Sequence, residues 1–397
     1  MTSELNRRNL SGTNLERAGD HNQRVTLHAI RVSGPVTRAD LALTTGLTAA
    51  AIANITKRLL HDRLILEAGT TRGARGQPAT KLVINPDSCY SLGLNIDRDH
   101  ITLVVVDFAG RVRARLSREV SFALPDEVRT FFRRSAARLL TKARIEPARV
   151  VGIGVAFPDD IQRVGLPRQP PEYAVWGDTS VTELLSGALP MPVYVENDAA
   201  AAAMGEMQFG LGHQYQSFFY VLITAGLGGG LVLDGHYVRG ATGRSGELGW
   251  LRGRGASGES RQLQNIVSLS ALYDLLAQGG VQVASPQDLT GLGGAAEGIV
   301  SSWIESSSEA LEDAFVIINC LLNPAAVLIG GRLPAALVDR LAKRLNERLE
   351  AHRARIPAVA PVARAAMSDD APAVGAAILP FSDRFLPTRF ALMKTGA

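Results

Sequence analysis

The sequence predicts a winged helix-turn-helix at the N-terminus, followed by a layered α/β body. Three observations indicate this organisation. The first 90 residues carry an excess of basic side chains, and they contain two short helix patterns joined by a glycine. The remainder alternates apolar strands with helices and has glycines at strand ends. At 397 residues, the chain is long enough for two or three domains.

The composition is that of a globular protein without membrane spans. Apolar residues make up 46% and charged residues 20% of the chain, and no apolar run reaches the length of about 18 residues that a span needs. The N-terminal residues MTSELNRRNL lack the apolar centre of a signal peptide, so we expect a cytoplasmic location. Cys89 and Cys320 are the only cysteines, which gives no support to a disulfide framework or a cysteine zinc cluster.

Charge is unevenly distributed along the chain. Residues 1–90 contain 12 Lys and Arg against 7 Asp and Glu, a net charge of +5. The remaining residues contain 30 against 31, a net charge of −1. A basic front on a nearly neutral body is typical of a polyanion-binding module attached to another domain.

The basic front contains the helix pattern TRADLALTTGLTAAAIANITKRLLHDRLI, which begins at Thr37. Thr37 and Asp40 predict a capping box, and Gly46 ends that short helix. Thr48 can cap a second helix. The apolar residues of this second helix recur at helical spacing and face a core: Ile52, Ile55 and Leu59. With the helix HAIRVSG at residues 28–34 before them, the pair forms a helix-turn-helix.

A hairpin follows the second helix. In LILEAGTTRGARGQPATKLVINP, residues 64–86, two apolar runs flank a tip rich in Gly and Arg, which is typical of a wing. Residues 1–88 therefore resemble the winged helix-turn-helix of bacterial repressors, in which the start of the second helix meets base edges in the major groove. The alternative is a small helical interaction domain with a solvated basic loop.

Candidate DNA contacts follow from this resemblance. Asn can bond adenine bidentately, alanine methyl groups suit thymine methyl groups, and basic side chains suit phosphates. The residues expected near bases are Thr48, Ala49, Ala50, Ala53 and Asn54, and those expected near phosphates are Lys57 and Arg58. At the wing tip, Arg72, Arg75 and Gln77 are expected to reach a minor groove or the DNA backbone. Operator DNA is the expected partner.

The body shows strands interleaved with helices. YSLGLNIDRDHITLVVVDFAGRVRARLSREV, residues 90–120, predicts three strands with a turn at 107–110. Further strands are predicted in RVVGIGVAFPDD (149–160), MPVYVEND (191–198), FFYVLITAGLGGGLVLDG (218–235) and AFVIINCLLNPAAVLIGGRL (314–333). A helix follows MPVYVEND, and another opens the last of these segments.

Three motifs occur in order in this body: VENDAAAAAMGE at 195–206, GELG at 246–249 and NPAAVLIGG at 323–331. With them, the chain from residue 22 to about 379 resembles the ROK family of repressors, open reading frames and sugar kinases. The resemblance implies an α/β, actin/hexokinase-like (ribonuclease H-like) body with subdomains at 89–197 and 198–379, and residues 380–397 returning to the first. The helix-turn-helix in front matches the repressor branch, which includes xylose- and N-acetylglucosamine-type repressors.

Both phosphate loops that the resemblance implies are altered. The first is similar to Asp-Ile-Gly-Gly-Thr in kinases of this family, and here it is Asn95, Ile96, Asp97, Arg98 and Asp99. Two carboxylates beside a triphosphate would repel it by roughly 1 kcal/mol per close charge pair, even in water-like surroundings. The second, similar to Gly-Thr-Gly in kinases, is Thr-Ala-Gly at 224–226, without the phosphate-binding hydroxyl. We therefore expect no ATP binding, no catalytic residue and no cofactor, and we interpret the glycines at 226 and 228–230 as packing positions.

The resemblance also implies a partly kept sugar pocket. Its expected residues are Pro158, Asp159, Asn197, Asp198, Glu247, Trp250 and Gln264. Asp198 matches the kinase base and would here accept hydrogen bonds, although Asn197 or Asp198 can also simply cap the next helix. Trp250 replaces a histidine that contacts sugar and helps to hold zinc, so it can stack on a sugar ring or fill the space left by zinc. Because residues 251–270 contain no Cys or His, we expect no metal.

These features together favour a ROK-type repressor that binds its operator as a homodimer or homotetramer and responds to a sugar or polyol effector. Two alternatives stay open. One is an ATP-dependent sugar kinase that also binds DNA, supported by Asp198 and opposed by the altered phosphate loops. The other is a DNA-binding regulator whose body is only a dimerisation scaffold without an effector.

Overall fold

The computed structural model describes residues 15–71, 78–163, 169–187, 189–254, 258–367 and 370–387. The predicted wing-tip contacts Arg72, Arg75 and Gln77 lie outside these residues. The N-terminal part consists of three helices and a small antiparallel sheet with strand order β1-β3-β2. Its elements are α1 (Leu15–Ser33), β1 (Val36–Thr37), α2 (Arg38–Thr45), α3 (Ala49–His61), β2 (Ile65–Thr71) and β3 (Ala79–Ile84).

The predicted caps of this part are confirmed. The Thr37 side chain accepts from the Asp40 amide at 3.2 Å, and the Asp40 carboxylate accepts from the Thr37 amide at 3.1 Å. Gly46 ends α2 with a φ of 70°, in the left-handed region that favours glycine. Thr48 Oγ1 accepts from the Ala51 amide at 3.2 Å at the start of α3. The tight turn between α2 and α3 is thus fixed by local hydrogen bonds and one backbone conformation.

The first half of the body is a five-stranded sheet with order β6-β5-β4-β7-β8. The first three strands form an antiparallel meander, and β7 and β8 extend it in parallel with β4. The elements are β4 (Tyr90–Ile96), β5 (His100–Asp107), β6 (Val112–Glu119), α4 (Pro125–Ala143), β7 (Val150–Ala156), α5 (Val181–Leu185) and β8 (Val193–Glu196).

The second half repeats this arrangement, with a sheet of order β11-β10-β9-β14-β15 and the same alternation of antiparallel and parallel neighbours. Its elements are α6 (Asp198–Phe209), β9 (Phe218–Ile223), β10 (Leu227–Leu233), β11 (His236–Tyr237), β12 (Arg252–Arg254), β13 (Ser260–Gln262), α7 (Leu269–Gln278), α8 (Gly294–Leu322), β14 (Ala326–Gly331), α9 (Ala335–Glu350), β15 (Val362–Arg364) and α10 (Ala371–Phe385). Strands β12 and β13 form a separate hairpin. Two sheets of the same topology confirm the α/β, actin/hexokinase-like body.

Helices α6 and α10 pack against each other, and each covers one of the two sheets. Glycines allow this close packing, because a Cβ at Gly228 would lie 2.8 Å from that of Ala199, and one at Gly230 would lie 2.6 Å from that of Ala203. The packing interpretation of these β10 glycines is therefore confirmed. Helix α10 lies on β4, β5 and β7 of the first sheet, and its last turns are the described start of segment 380–397.

The N-terminal part shares an apolar core with the body. Leu27 and Ile30 of α1 are buried in the same cluster as Phe108, which follows β5, and Phe381 of α10. Arg24 of α1 donates to the backbone carbonyls of Asp383 and Leu386 at 2.8 and 3.1 Å. This contact fixes α1 on the body. No described helix is long and apolar enough to span a bilayer.

Candidate functional site

A cleft lies between the two halves of the body, at the carboxyl ends of parallel strands in both sheets. Ligands of open α/β sheets bind at such strand ends, because loops from neighbouring strands converge there. All seven residues expected in the sugar pocket line this one cleft: Pro158, Asp159, Asn197, Asp198, Glu247, Trp250 and Gln264. The remaining lining residues come from the two altered phosphate loops and the start of β10, and they were not expected in the sugar pocket: Arg98, Thr224, Gly226, Leu227 and Gly228.

Asn197 and Asp198 stand where β8 ends and α6 begins. The Asn197 side-chain oxygen accepts from the amides of Ala199 and Ala200 at 3.0 and 3.1 Å, so Asn197 is the helix cap. Its side-chain nitrogen donates to Asp159 at 3.3 Å. One oxygen of Asp198 accepts from the Ala199 amide at 2.8 Å. The predicted cap is confirmed at Asn197, and capping leaves Asp198 facing the cleft.

Asp198 is the most strongly perturbed acid of the cleft. Burial, followed by the nearby carboxylate of Asp97, raises the pKa of Asp198 to about 7, while the Arg98 guanidinium opposes that rise. Burial also raises the pKa of Asp159, and Arg244 opposes it. At neutral pH, Asp198 therefore exchanges a proton readily and can either donate or accept a hydrogen bond.

Glu247 is held by a neighbouring arginine at the mouth of the cleft. Arg244 Nε donates to Glu247 Oε1 at 2.8 Å, and Arg244 Nη1 donates to Asp160 Oδ2 at 2.6 Å. Gln264 is buried and donates to the Gln262 side-chain oxygen at 2.9 Å. Trp250 is 38% exposed on the cleft wall, so its ring is available to a ligand rather than enclosed in a core.

The altered first phosphate loop is held by its own charges. Asp99 Oδ1 lies 2.6 Å from His100 Nδ1, and Asp99 Oδ2 accepts from Arg332 at 2.9 Å. Arg332 also donates to Glu119 at 2.5 Å. Burial opposes ionisation here, but His100 and Arg332 together hold the pKa of Asp99 below its usual value, and Asp99 raises the pKa of His100. Arg332 follows β14, so this network joins the two halves of the body.

Asp97, Asp99 and His100 form the one group of three possible metal ligands found in the described part of the chain. Both ring nitrogens of His100 already have partners, since Nε2 lies 2.9 Å from Asn95 Nδ2 and Nδ1 contacts Asp99. Two guanidinium groups, those of Arg98 and Arg332, lie beside the two carboxylates. Neighbouring cations and occupied ligand atoms do not suit a metal ion.

From the sequence alone, Arg98 is only an interruption between two acids. In the structure its side chain is 6% exposed and lines the cleft. It also lines a neighbouring cavity of about 620 Å³, whose walls include Val120, Phe122 and Tyr273. The signal was present in the loop sequence Asp-Arg-Asp, because a cation stands where relatives have glycine. What the sequence did not reveal is that this cation points into the cleft.

The candidate DNA face is the exposed side of α3. The residues expected near bases and phosphates are all exposed: Thr48, Ala49, Ala50, Ala53, Asn54, Lys57 and Arg58. The opposite side of the helix buries Ile52, Thr56 and Leu59, while Ile55 is half-buried. Helix α3 therefore turns its apolar side to the core and its candidate DNA contacts to the surface, as its amphipathic sequence predicts.

Comparison with known proteins supports this architecture. The model of the ROK family matches residues 91–382. Protein y4fQ of Sinorhizobium fredii is 30% identical over 370 residues, which cover 92% of this chain and 91% of that protein. The xylose repressor of Bacillus spizizenii is 27% identical over 228 residues, which cover 57% of this chain and 59% of the repressor. The match to that repressor thus spans less than two thirds of its length.

Solved structures share the fold. A ROK family transcriptional regulator described as a homologue of the Escherichia coli Mlc protein has a TM-score of 0.66 and 24% identity, covering 92% of this chain and 96% of that one. A ROK family glucokinase from Streptomyces griseus in complex with glucose and AMPPNP has a TM-score of 0.55 and 23% identity, covering 73% of this chain and 98% of that one. Regulators and kinases are therefore both built on this fold.

Proposed function

The chain belongs to the ROK family, and on this premise we propose that it is a transcriptional repressor. Its N-terminal part acts as a winged helix-turn-helix that binds operator DNA, and its body assembles a homodimer or homotetramer and binds a sugar or polyol effector. Binding of the effector lowers the affinity for the operator.

The observation that carries this proposal is the exposed face of α3. It follows a tight turn at Gly46, begins with small side chains and Asn54, and ends with Lys57 and Arg58. Small and amide side chains suit base edges, and basic side chains suit phosphates. Similarity to a xylose repressor supports the same function.

The cleft supports a ligand with hydroxyl groups. Asp159, Asp198 and Glu247 offer carboxylate acceptors, Asn197 and Gln264 offer amides, and Trp250 offers an exposed aromatic face. Lining residues come from both halves of the body, so a bound ligand would favour one relative position of the two halves. We propose that closure on the effector misplaces the two helices α3 of a dimer relative to successive half-sites of the operator.

A selection experiment tests this function. The full-length chain is used to select operator DNA from a random pool, and binding to the selected DNA is then measured with and without a panel of sugars and polyols. We expect sequence-specific binding that at least one ligand weakens. Failure to select any sequence would contradict the DNA-binding function. Specific binding that no ligand alters would instead favour a body that acts only as a dimerisation scaffold.

The burial and raised pKa of Asp198 favour a second candidate function, that of a sugar kinase. A buried carboxylate with a pKa of about 7 is suited to take a proton from a sugar hydroxyl. The first phosphate loop opposes this candidate, because Asp97, Arg98 and Asp99 fill it with side chains that pair within the protein. A coupled assay with ATP and the same panel should stay at background, and turnover on the order of 1 per second or faster would favour the kinase.

A further inference from the structure

The Arg98 side chain lies between the two loops that correspond to the phosphate loops of kinases. It belongs to the first loop, and a Cβ added to Gly226 of the second loop would lie 3.5 Å from Arg98 Nη1. On one side of the guanidinium is the cleft with Asp198, and on the other is the 620 Å³ cavity. The cation therefore stands at the inner end of the candidate sugar site, open to both spaces.

This guanidinium is buried without hydrogen-bond partners. None of its nitrogens donates a hydrogen bond to a described residue, and its Nε is fully enclosed. Asp97 is the nearest acid, but the distance from Arg98 Nη1 to Asp97 Oδ1 is 3.6 Å, which is an ion pair without a hydrogen bond. A buried guanidinium without a hydrogen-bond partner is unfavourable, so its position beside a cavity favours a ligand that supplies hydrogen-bond acceptors.

We propose that Arg98 binds an anionic oxygen group of the effector, so that the effector is a sugar carrying a carboxylate or a phosphate. This inference rests on the proposed effector-binding function and specifies its ligand. A guanidinium presents two parallel N–H donors that match a carboxylate or a phosphate, which a neutral hydroxyl does not. The sugar ring would occupy the cleft beside Asp198 and Trp250, with its anionic substituent directed at Arg98.

The surrounding acids limit the ligand to a single anionic group. Asp274 and Asp288 also line the 620 Å³ cavity, so a second phosphate there would meet negative charge. Asp99, which lines the same cavity, is already paired with His100 and Arg332. Asp198 holds a proton part of the time near neutral pH, which reduces its repulsion of an anion next to Arg98. A sugar acid or a sugar monophosphate meets these conditions, and a nucleoside triphosphate does not.

Matched ligands test this inference on the full-length protein. For several ring configurations, calorimetry compares the neutral sugar, the corresponding uronic acid and the corresponding 6-phosphate. We expect one anionic member to bind roughly tenfold to a hundredfold more tightly than its neutral parent. A difference of this size is expected when one hydrogen bond to a charged group is gained. Comparison of the uronic acid with the 6-phosphate shows whether the site prefers a carboxylate or a phosphate. Arg98→Gln should reduce this preference, the ratio of the affinities for the anionic and neutral members, to about threefold or less.

Two further variants control the result. Arg118→Gln removes an arginine that is 55% exposed on β6 and should leave the anion preference intact. Arg98→Lys keeps the charge but not the two parallel donors, so it should retain only part of the preference, and it carries the test if Arg98→Gln does not fold.

Three results would overturn the inference. Equal affinity of wild type for neutral and anionic ligands would overturn it and leave the effector function standing. An anion preference that survives in both Arg98 variants would place the anion elsewhere. If no sugar of any kind binds while operator DNA does, the effector part of the proposed function fails, and this inference fails with it.

Discussion

The guanidinium of Arg31 lies over the ring of Phe209, 5.5 Å from its centroid. Arg31 belongs to α1, next to the helix-turn-helix, and Phe209 is the last residue of α6. The first residue of the same 12-residue helix is Asp198, in the cleft. A helix of this length spans roughly 18 Å, so a single rigid element connects the candidate effector site to the DNA-binding part. Burial lowers the pKa of Arg31 to about 10, which still leaves it charged at neutral pH.

This relationship predicts that Phe209 contributes to coupling. Phe209→Leu keeps an apolar side chain but removes the aromatic face, so the factor by which the effector weakens operator binding should fall roughly two- to tenfold. Effector affinity and operator affinity, each measured alone, should change little. Phe131→Leu on α4, in the core of the first half, is the matched control. An unchanged coupling factor in Phe209→Leu would show that the signal travels by another route.

A second prediction concerns the contact between the two halves of the body. Arg332 is 5% exposed and pairs with Asp99 and Glu119, so Arg332→Gln leaves both carboxylates without their arginine partner. Removing one partner of a buried ion pair leaves the other charge without compensation, which should lower the free energy of unfolding by about 3 kcal/mol. Urea denaturation of the full-length protein measures this value. Arg129→Gln, at the exposed pair with Asp126, should cost no more than about 0.5 kcal/mol, and equal losses in the two variants would refute the importance of the bridge.

The same network predicts a pH dependence. Burial disfavours the charged form of His100, but Asp99 and Asp97 outweigh burial and Arg332, so the pKa of His100 in the folded protein is above its ordinary value of 6.5. Its stabilising contribution is therefore complete below pH 6.5 and is lost as pH rises through the folded-state pKa.

The free energy of unfolding should accordingly fall as the pH rises above 6.5, and more steeply in wild type than in His100→Asn, by up to roughly 1.4 kcal/mol per pH unit. The asparagine keeps a donor for Asp99 but does not titrate. Asp198 titrates in both proteins, so its effect cancels in the comparison. Parallel curves for wild type and His100→Asn would mean that His100 does not change protonation in this range.

Asp198→Asn should separate effector binding from DNA binding. The variant keeps the shape of the side chain but not the charged acceptor, so the effector should bind roughly tenfold to a hundredfold more weakly. Operator affinity without effector should be unchanged, and the variant should repress yet resist induction. Titration with effector in the presence of operator DNA measures both properties.

The loss in Asp198→Asn should be larger at pH 8 than at pH 6. Asp97, Arg98 and Asp159 face Asp198, and its pKa of about 7 means that the carboxyl group is mostly protonated at the lower pH, when asparagine resembles it more closely. A normal effector response at both pH values would show that Asp198 only supports the start of α6.

The DNA face is tested by two substitutions on α3. Lys57→Ala should weaken binding to all sequences alike and reduce the slope of log affinity against log salt by roughly 1, because one phosphate contact is lost. Asn54→Ala should relax the preference at one base position, at a cost of about 1–3 kcal/mol for the preferred base. If neither variant alters binding to the selected operator, the recognition helix has been misassigned.

Much of the fold could be predicted because the determinants are close together in the sequence. The capping box of Thr37 and Asp40 involves residues three positions apart, and the left-handed turn needs only Gly46 itself. The strands of the body are marked by apolar runs, and their carboxyl ends could be located from the sequence. The resemblance to the ROK family placed residues as distant in sequence as Pro158 and Gln264 in one pocket, and the structure brings them together at the converging strand ends.

The sequence by itself thus determined the capped helices and the strands, and its resemblance to a known family indicated the set of side chains in the cleft. Only the tertiary structure decided how the charges among them pair. Arg332 meets Asp99 across 233 positions of sequence, and Arg31 meets Phe209 only because α1 docks on the body. Arg98 lines the cleft and pairs with Asp97, whereas Asp99 pairs with Arg332 and His100. Electrostatic partners are chosen by distance and burial in space, whereas caps and strand patterns are set by neighbours along the chain.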